Sequence, residues 1–495
     1  MTQRAVVQGA RGGGIVVAGS VMTALIQLAA VTILSRLLSP DDFGLVAMVT
    51  VFIVLGNLIR DFGMPTAALQ AKDLSHQQAS NLFWMNSGLA ALAATLLVAA
   101  APFIAGLYNE PRLIAIIPAM ALVMFISGTG AQIQVHLARR MRYVVLVTSD
   151  VVSQSVALGA AILAATHGAG YWALVIQNCV AAATLLATRW IASRWVPSPF
   201  RRGHGSARLF RAGRDYGLAQ LLTFLQSNAD TFVIGTQLGA SALGLYNRGY
   251  QLLTAPTLRL LEPLTQVIIP ALNRAESEGR QRESILLRIQ FVVGGALVWV
   301  FSIAAGAASV IIPLILGPGW EETITIFRIL ALGGAFWGLS NVSYWAFVAS
   351  EKSRALLSYN LVSKPLSVVC IVIGSMFGLE GVAWGYTLGM ALSWPLNLVW
   401  LARCAELPAW PFARNGLVIV SSGVLGFAVT LWLASQSAAI PLVVLLVVAL
   451  AVGTATIAAP LLAVSYTREQ CTAALSLIKV LICRTDKSID NDTQD

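Results

Sequence analysis

The sequence predicts an all-α polytopic membrane protein with about fourteen transmembrane helices, and three observations support this fold class. The chain of 495 residues is 57% hydrophobic and only 11% charged, whereas soluble proteins carry roughly a quarter of charged residues. Apolar stretches of transmembrane length recur along most of it. Basic residues also cluster in alternate connections between these stretches, as the topology of a polytopic membrane protein requires.

Each predicted span is long enough to cross about 30 Å of hydrocarbon, which takes about 20 apolar residues in a helix. The fourteen spans lie near residues 14–35, 44–69, 80–104, 113–136, 144–166, 170–190, 216–238, 243–272, 289–316, 323–349, 355–378, 381–402, 415–435 and 438–465. The first apolar run has no small-residue cleavage site after it, so we expect it to be retained as a span.

The distribution of Lys and Arg predicts the orientation of these spans. Of the 32 basic residues, 25 fall in alternate connections on one side of the predicted membrane, and two, Arg36 and Arg112, fall on the other. By the positive-inside rule the basic side is cytoplasmic. The sequence therefore predicts that both termini lie in the cytoplasm and that the outer loops are all short.

Two segments 200 residues apart predict an internal repeat. RLLSPDDFGLVA (36–47) aligns with TQLGASALGLYN (236–247), and each forms the outer turn between the first and second spans of a six-span set. Because six is even, both sets enter from the same side and the repeat is parallel. The predicted organisation comprises two six-helix lobes at 1–195 and 216–404, a basic cytoplasmic linker at 196–215, two extra spans within 405–465, and an interfacial helix with a disordered tail at 466–495.

Charged residues inside the predicted spans are the candidate functional residues, because such residues usually face a bundle interior or a wet cavity. The bases are Arg60, Arg248, Arg259, Arg328 and Lys364, and the acids are Asp61, Asp150, Asp230 and Glu262. Arg60 and Asp61 in VLGNLIRDFGMP correspond in depth to Arg259 and Glu262 in LRLLEPL. Nearby prolines free backbone carbonyls in both spans.

For each charge a structural role competes with a functional one. Arg248 lies near a span end, and snorkelling to the interface explains its position as well as a functional role does. For Asp150 we prefer a structural role. For Arg60, Arg259 and Lys364 we prefer a cavity-lining position to a buried ion pair. Asp230, beside Asn228, fits either hydrogen bonding between helices or a substrate or ion role.

Other sequence features say less about function. Asp41 and Asp42 open the second span, and we interpret them as a helix start with acids favoured by the helix dipole rather than as a glycosyltransferase base. The five Cys and four His show no paired or ligand spacing, so we expect no disulfide, metal or cofactor. The net charge of +10 reflects cytoplasmic arginines, not nucleic-acid binding. A two-lobe transporter forms its cavity alone, so a monomer is expected.

At the level of motifs, the whole chain resembles the polysaccharide transporter (Wzx-type flippase) family of the multidrug/oligosaccharidyl-lipid/polysaccharide (MOP) superfamily. It is most similar to the exopolysaccharide branch, which serves polymers such as colanic acid and succinoglycan. The resemblance rests on the order and spacing of SRLLSPDDFGLVAM (35–48), DFGMPTAALQAKDLSHQQASNLFWMN (61–86), NADTFVIGTQLGASALGLYNRGYQL (228–252), VIIPALNR (267–274) and GPGWEETI (317–324).

The resemblance implies a flippase for undecaprenyl-pyrophosphate-linked oligosaccharide repeat units, which works by alternating access of two lobes around a cationic cavity. Their positions in the matching motifs make Arg60 and Arg259 the first candidates to bind the anionic head of the substrate. Lys364, Arg328 and Asn228 are the next candidates. Asp61, Asp230 and Glu262 are candidates for ion coupling or ion pairs. Partners would be the lipid-linked oligosaccharide, membrane lipids and other polysaccharide-assembly proteins.

Three other functions remain open. A drug or cation exporter of the same superfamily would share the lobes but favour an acidic cavity and twelve spans. A polyprenyl-dependent glycosyltransferase or polymerase would need a long outer loop with catalytic residues, and no predicted outer loop is long, so we expect a non-enzyme. A non-transporting scaffold of an assembly complex is a further alternative.

Overall fold

A computed structural model of the protein describes residues 3–61, 75–201, 224, 227–277, 282–350, 352–436, 444, 447–448 and 450–455. Within these residues every regular element is helical. The helices are α1 Gln3–Leu37, α2 Pro40–Asp61, α3 His76–Ala99, α4 Ala101–Leu107, α5 Leu113–Arg139, α6 Tyr143–Thr166, α7 Trp172–Ser193, α8 Ala229–Gln237, α9 Gly239–Ser277, α10 Arg282–Ile289, a π-helix Gln290–Gly294, α11 Gly295–Gly306, α12 Ala308–Ile315, α13 Glu321–Ala349, α14 Ser353–Ser375, α15 Gly378–Cys404 and α16 Ala409–Ser435.

Ten of the described helical segments are long and apolar enough to cross a membrane, and all ten coincide with predicted spans. Two other predicted spans are the helices α9 and α15, whose polar and glycine residues dilute their apolar content. The second half of the predicted span 216–238 is described and contains α8. Most of the predicted span 438–465, most of the linker and the 466–495 tail lie outside the described residues. The total of fourteen spans therefore stays a prediction.

The chain forms two compact units. The first comprises Met1–Asn247 with Ile315–Gly319, and the second comprises Arg248–Leu314 with Trp320–Asp495. The division falls within α9, so this single helix contributes its first turns to one unit and the remainder to the other. The lobe limits expected from the sequence remain a prediction.

Small residues allow close helix packing within the second unit. Gly381, Gly385 and Gly389 repeat every four residues on α15, so they share one face of the helix. A Cβ atom at any of them would crowd the α14 segment that contains Cys370 and Ser367. Close approach of backbones through small residues is a main source of helix association in membranes.

A hydrogen bond from α16 secures the π-helix that interrupts the span formed by α10 and α11. Asn415 of α16 is fully buried, and its Nδ2 donates to the carbonyl oxygen of Leu287 at 3.1 Å and to Oε1 of Gln290 at 3.0 Å. A π-helix leaves helical carbonyls without their usual i+4 partners. The α16 side chain supplies a donor at that position, so α16 is a fixed part of the second unit.

Candidate functional site

Arg60 lies in the interior of the first unit, between α2 and α5. Its side chain is 5% exposed, and Nη1 donates to Oδ1 of Asn57 at 2.9 Å and to the carbonyl oxygen of Met124 at 3.2 Å. Gly128 makes room for it, since a Cβ there would lie 3.0 Å from Cδ of Arg60. These contacts give Arg60 a helix-packing role within its unit. Its predicted contact with substrate phosphates stays a prediction, and the side chain of Asp61 lies outside the described residues.

Asn228 and Asp230 lie at the start of α8, and both side chains have local hydrogen bonds. Asn228 is the residue before the first turn, and its Nδ2 donates to the carbonyl oxygen of Phe224 at 2.9 Å. Asp230 is buried and accepts hydrogen bonds from the hydroxyl of Tyr246 at 2.9 Å and from the backbone N–H of Thr231 at 2.8 Å. The sequence offered two interpretations for Asp230, and this geometry includes the expected hydrogen bond between helices.

Arg259 and Glu262 lie on one polar face of α9, in the part of the helix that belongs to the second unit. Five exposed polar residues fall within an arc of about 80° when each residue advances the helix by about 100°. They are Gln251, Arg259, Glu262, Gln266 and Asn273. The opposite face is buried and includes Leu253, Thr257, Leu261, Ile268 and Leu272. Exposed charges in contact with lipid would cost several kcal/mol each, roughly 2.5–3.5 on insertion scales, so this face is suited to line a wet cavity.

Three prolines add acceptors to the same polar face. Pro256, Pro263 and Pro270 recur every seven residues in α9, and proline has no N–H to donate to the carbonyl four residues earlier. The carbonyls that face a proline instead of an N–H four residues later are therefore those of Leu252, Arg259 and Gln266. Arg259 and Gln266 lie on the exposed face, and Leu252 lies beside it and is half-buried. Freed carbonyls of this kind occur in membrane helices where they are buried in protein or line a water-filled cavity.

Arg248 lies in α9 itself, where its Nη1 donates to Oε1 of Gln251 at 2.9 Å, whereas Arg328 and Lys364 lie elsewhere in the second unit. Nε of Arg328, in α13, donates to the carbonyl oxygen of Ala305 at 3.3 Å, next to the C-terminal end of α11. A cation at that end is favoured by the helix dipole. Lys364 is partly buried in α14, next to Pro365. Of the predicted site residues in this unit, Arg259 and Glu262 are thus the pair that shares a helix face.

Arg189, near the end of the predicted span 170–190, lies inside α7. This side chain is 7% exposed. It donates to Oγ of Ser149 at 3.1 Å, to Oε1 of Gln134 at 3.0 Å and to Oδ1 of Asp150 at 2.7 Å. Arg189 therefore joins α5, α6 and α7, and the structural role expected for Asp150 is confirmed. The signal that could have found this contact was the intramembrane Asp150, which needs a cationic partner.

Two buried amides on α3 and α5 were not predicted as functional residues. The side chains of Asn86 and Gln132 are 0% and 1% exposed, and their amide atoms have no hydrogen-bond partner in the described part of the chain. A Cβ at Gly128 would overlap with Cβ of Ala90. Asn86 precedes Ala90 by one turn and Gln132 follows Gly128 by one turn, so in these antiparallel helices the two amides lie at one level, beside Arg60.

The two aspartates at the start of α2 both have structural contacts. Asp42 accepts hydrogen bonds from the backbone N–H and the hydroxyl of Ser39, at 2.9 Å and 2.7 Å. Asp41 pairs with Nη1 of Arg112 at 2.6 Å, and Arg112 also contacts Glu110 at 2.7 Å. The interpretation of Asp41 and Asp42 as a helix start is confirmed.

The part of the chain that contains most of these residues matches a known protein family. Residues 33–325, more than half of the chain, match the family described as polysaccharide biosynthesis protein. The chain belongs to this family. The matched segment includes the first unit's helices from α2 onwards and the whole of α9, so the polar face of α9 is part of the family's shared region.

Several bacterial proteins of polysaccharide biosynthesis are similar over most of their length. The lipopolysaccharide biosynthesis protein WzxC of Escherichia coli K12 is 22% identical over 382 residues, 73% of this chain and 74% of WzxC. The teichuronic acid biosynthesis protein TuaB of Bacillus subtilis 168 is 26% identical over 394 residues, 76% of this chain and 80% of TuaB. The succinoglycan biosynthesis transport protein ExoT of Rhizobium meliloti 1021 is 22% identical over 379 residues, covering 72% and 76%.

Solved structures establish the fold of this family member. The lipid II flippase MurJ in an inward closed conformation superposes with a TM-score of 0.71 at 9% identity, over 89% of this chain and 98% of MurJ. An inward-facing multidrug resistance MATE transporter of the MOP superfamily gives a TM-score of 0.56 at 14% identity, over 80% and 95%. The predicted fold class, an all-α membrane protein with the MOP fold, is confirmed.

Proposed function

We propose that this family member is a flippase that moves undecaprenyl-pyrophosphate-linked oligosaccharide units from the cytoplasmic to the periplasmic leaflet of the bacterial inner membrane. The family, the names of the similar proteins WzxC and ExoT, and the fold shared with MurJ support this substrate class. The polymer would be an exopolysaccharide, capsule or lipopolysaccharide. In this proposal both termini are cytoplasmic, the protein acts as a monomer and it is not an enzyme.

The observation that carries the proposal is the polar face of α9. A pyrophosphate and its sugars cannot enter hydrocarbon without partners, since an unsatisfied polar group costs several kcal/mol, roughly 2–7 depending on the reference state. A helix that exposes Arg259, Glu262 and freed carbonyls on one face offers such partners at membrane depth. The polyprenyl chain needs no such partners and remains in the lipid.

Each group on this face fits one part of the substrate. The Arg259 guanidinium is a planar donor that binds phosphate oxygens bidentately. The freed carbonyls of Leu252 and Gln266 are acceptors for sugar hydroxyls. Glu262, one turn from Arg259, fits a sugar hydroxyl or a coupling cation, and Asp61 and Asp230 are the other candidates for ion coupling.

The other predicted cations have secondary roles in this proposal. Lys364 and Arg328 contribute positive potential, and Asn228 offers a neutral amide. Arg60 orders the interior of its unit and contacts the substrate head only in a conformation that exposes it. The site opens alternately to the two sides of the membrane, and because the cell interior is negative, each anionic charge that moves outward across 100 mV gains about 2.3 kcal/mol.

Deletion of the gene in the source cell, followed by analysis of polyprenyl-linked lipids, tests the proposal. We expect the completed lipid-linked unit to accumulate on the cytoplasmic leaflet. An incomplete unit would instead indicate a glycosyltransferase, and exported single units would indicate a missing polymerase. Normal lipids with increased drug sensitivity would indicate a drug or cation exporter, and normal lipids with unassembled polymer would indicate a scaffold.

Complementation of the deletion strain tests the α9 face itself. Arg259→Ala should insert normally yet reduce polymer export at least about tenfold, since a charge-assisted hydrogen bond contributes about 1.5–3 kcal/mol. Arg259→Lys should restore export in part, because lysine keeps the charge and loses the planar fork. Arg403→Ala, at an exposed arginine of α15, serves as the control. Export by Arg259→Ala at the wild-type rate would exclude the assigned role.

A further inference from the structure

An extended segment at one end of the first unit forms a separate surface, and we call residues 194–201 the strap. The strap follows α7, which ends at Ser193, and Arg194 turns the chain with a φ of 50°. From there the strap crosses the first two turns of α3. It lies at the level where the span of α5 ends at Arg139 and the span of α6 begins at Tyr143, that is, at the boundary of the hydrocarbon.

Side chains of α3 hold the strap by its backbone. Oγ of Ser80 accepts from the N–H of Ser198 at 3.0 Å, and Nε1 of Trp84 donates to the carbonyl oxygen of Ser198 at 2.9 Å. Nε2 of Gln77 donates to the carbonyl oxygen of Pro199 at 2.8 Å. The amide of Asn81 binds both backbone groups of Arg201, at 2.7 Å and 3.0 Å.

Trp195 anchors the strap inward. Its side chain is 5% exposed and packs against the rings of Phe83 and His136, with centroid distances of 5.8 Å and 5.6 Å. Nε1 of Trp195 donates to Nδ1 of His76 at 3.2 Å, and Nε2 of His76 hydrogen-bonds Oγ of Ser198 at 3.0 Å. The strap is therefore ordered by contacts along its whole length.

The outer side of the strap combines apolar and basic side chains. Val196 and Phe200 are 71% and 50% exposed, and Arg194 and Arg201 are exposed beside them. The neighbouring loop between α5 and α6 adds exposed Arg140, Met141 and Arg142. Nη1 of Arg142 donates to the carbonyl oxygen of Ala192 at 2.8 Å, which joins this loop to the end of α7. Among described residues 134–150 and 189–201 the acid is Asp150, which is paired with Arg189.

We propose that the strap and the adjoining loop form a docking site for the headgroups of acidic phospholipids. Arg140, Arg142, Arg194 and Arg201 bind the lipid phosphates, while Val196 and Phe200 enter the boundary between headgroups and acyl chains. This lipid site is distinct from the polar face of α9 and from the substrate that the proposed function assigns to that face.

The backbone contacts favour a lipid surface over an aqueous one. Irregular backbone near hydrocarbon is tolerated only where its N–H and C=O groups have partners in the protein. The α3 side chains supply partners for Ser198, Pro199 and Arg201, and the prolines at 197 and 199 have no N–H to satisfy. In water, solvent could satisfy the same backbone groups, and the exposed side chains of Val196 and Phe200 would gain no apolar partner.

Charge complementarity selects the acidic lipids. Each Lys or Arg near a negatively charged leaflet contributes about 1 kcal/mol of attraction, and guanidinium groups bind phosphate oxygens bidentately. This basic end belongs to the side that the positive-inside rule assigns to the cytoplasm. The occupant expected from these features is phosphatidylglycerol or a lipid of similar charge.

Lipid binding to the purified full-length protein in detergent tests the inference. The protein is titrated with phosphatidylglycerol or phosphatidylcholine, and the bound lipid is counted by native mass spectrometry. We expect tighter retention of phosphatidylglycerol, and a loss of about 10- to 30-fold in its apparent affinity for R194Q/R201Q, which corresponds to two charges at about 1 kcal/mol each. Ser80→Ala should weaken retention in the same direction, because it loosens the strap while keeping every charge.

The matched control is R354Q/R403Q, which removes two exposed arginines of the second unit. Equal losses for the two double variants would mean that net charge alone binds the lipid, and the inference would be wrong. Unchanged phosphatidylglycerol binding by R194Q/R201Q would overturn it as well. If the double variant instead lost only added undecaprenyl phosphate, the arginines would belong to the substrate path. Flipping activity in cells is measured separately, so the two proposals can fail independently.

Discussion

Gly44 and Gly244, which occupy equivalent positions in the internal repeat, pack reciprocally at the starts of α2 and α9. A Cβ atom at Gly44 would overlap with the carbonyl oxygen of Ala240, and one at Gly244 would overlap with the carbonyl oxygen of Pro40. Ala240 and Pro40 are themselves equivalent at the offset of 200 residues. The contact lies within the first unit and has approximate two-fold symmetry, so the repeat found in the sequence corresponds to a contact in space.

Gly44→Ala should therefore destabilise the protein by at least about 1–3 kcal/mol, the usual cost of overpacking, because the obstructing atoms are backbone. Gly244→Ala should cost a similar amount. The measurement is the unfolding temperature of the purified protein in detergent. Gly88→Ala is the control, since a Cβ there meets nothing within 4 Å, and alanine should stabilise that exposed helical position by roughly 0.5–1 kcal/mol. A neutral Gly44→Ala would contradict the tight crossing.

Arg189→Met should destabilise the first unit by about 3 kcal/mol, because it removes the donor shared by Ser149, Gln134 and Asp150 and leaves a carboxylate without its cation. Asp150→Asn should cost less, since Arg189 keeps two of its three partners and the Asp150 side chain is 43% exposed. Unfolding of both variants and of the double variant measures the coupling. Simple additivity of the two single changes would mean that the ion pair contributes nothing.

Substitution of Arg60 should lower the stability of the protein, whereas substitution of Arg259 should lower polymer export. Arg60→Met removes donors from buried acceptors on Asn57 and Met124, so we expect a loss of about 1–3 kcal/mol in stability. Arg259→Met alters an exposed side chain and should leave stability within about 0.5 kcal/mol while reducing export. Thermal unfolding and export assays on the same preparations test this. Equal destabilisation by both changes would contradict the assignment.

The cluster of Glu110, Arg112 and Asp41 should make stability sensitive to acid. The hydrogen bond from Arg112 lowers the pKa of Glu110 below its ordinary value. A carboxyl with a lower pKa in the folded state contributes stability above its unfolded pKa, and this contribution is lost as the pH falls through the folded value. Unfolding temperatures measured from pH 7 to pH 3 should fall less steeply for Glu110→Gln than for wild type.

Glu380→Gln is the control for this pH series, because Glu380 is an exposed acid in the first turn of α15. We expect its profile to follow that of wild type. If Glu110→Gln and wild type lost stability in parallel, the Arg112 contact would have no part in acid sensitivity.

Local sequence patterns were sufficient for ten of the predicted spans. Hydropathy is a property of consecutive residues, so ten described helices fall where the apolar stretches predicted them. The extent of α9 was harder, because its 39 residues include three prolines and a polar face that lower its apolar content. Burial of one helix face decides its continuity, and that burial depends on residues far along the chain.

The contacts of individual charges could not be predicted from local patterns. The sequence predicts matching depths for Arg60 and Arg259, yet Arg60 is 5% exposed because Gly128 makes room for it in the interior of its unit. Arg189 lies near the end of a predicted span, and its carboxylate partner lies 39 residues earlier. The strap contacts α3 residues about 120 positions away. Such partners follow from which helices become neighbours, and a single sequence does not specify that.

The length of the polar face of α9 determines how far a head group could move along this helix in contact with polar partners. From Gln251 to Asn273 the helix rises about 33 Å at 1.5 Å per residue, which is close to the roughly 30 Å of a bilayer's hydrocarbon core. In the proposed function, a head group exchanges one polar partner for the next in steps of one to two turns, over a length close to the thickness of the hydrocarbon core. Dehydration becomes a series of small steps along one helix, and no single step has to strip the whole head of its water.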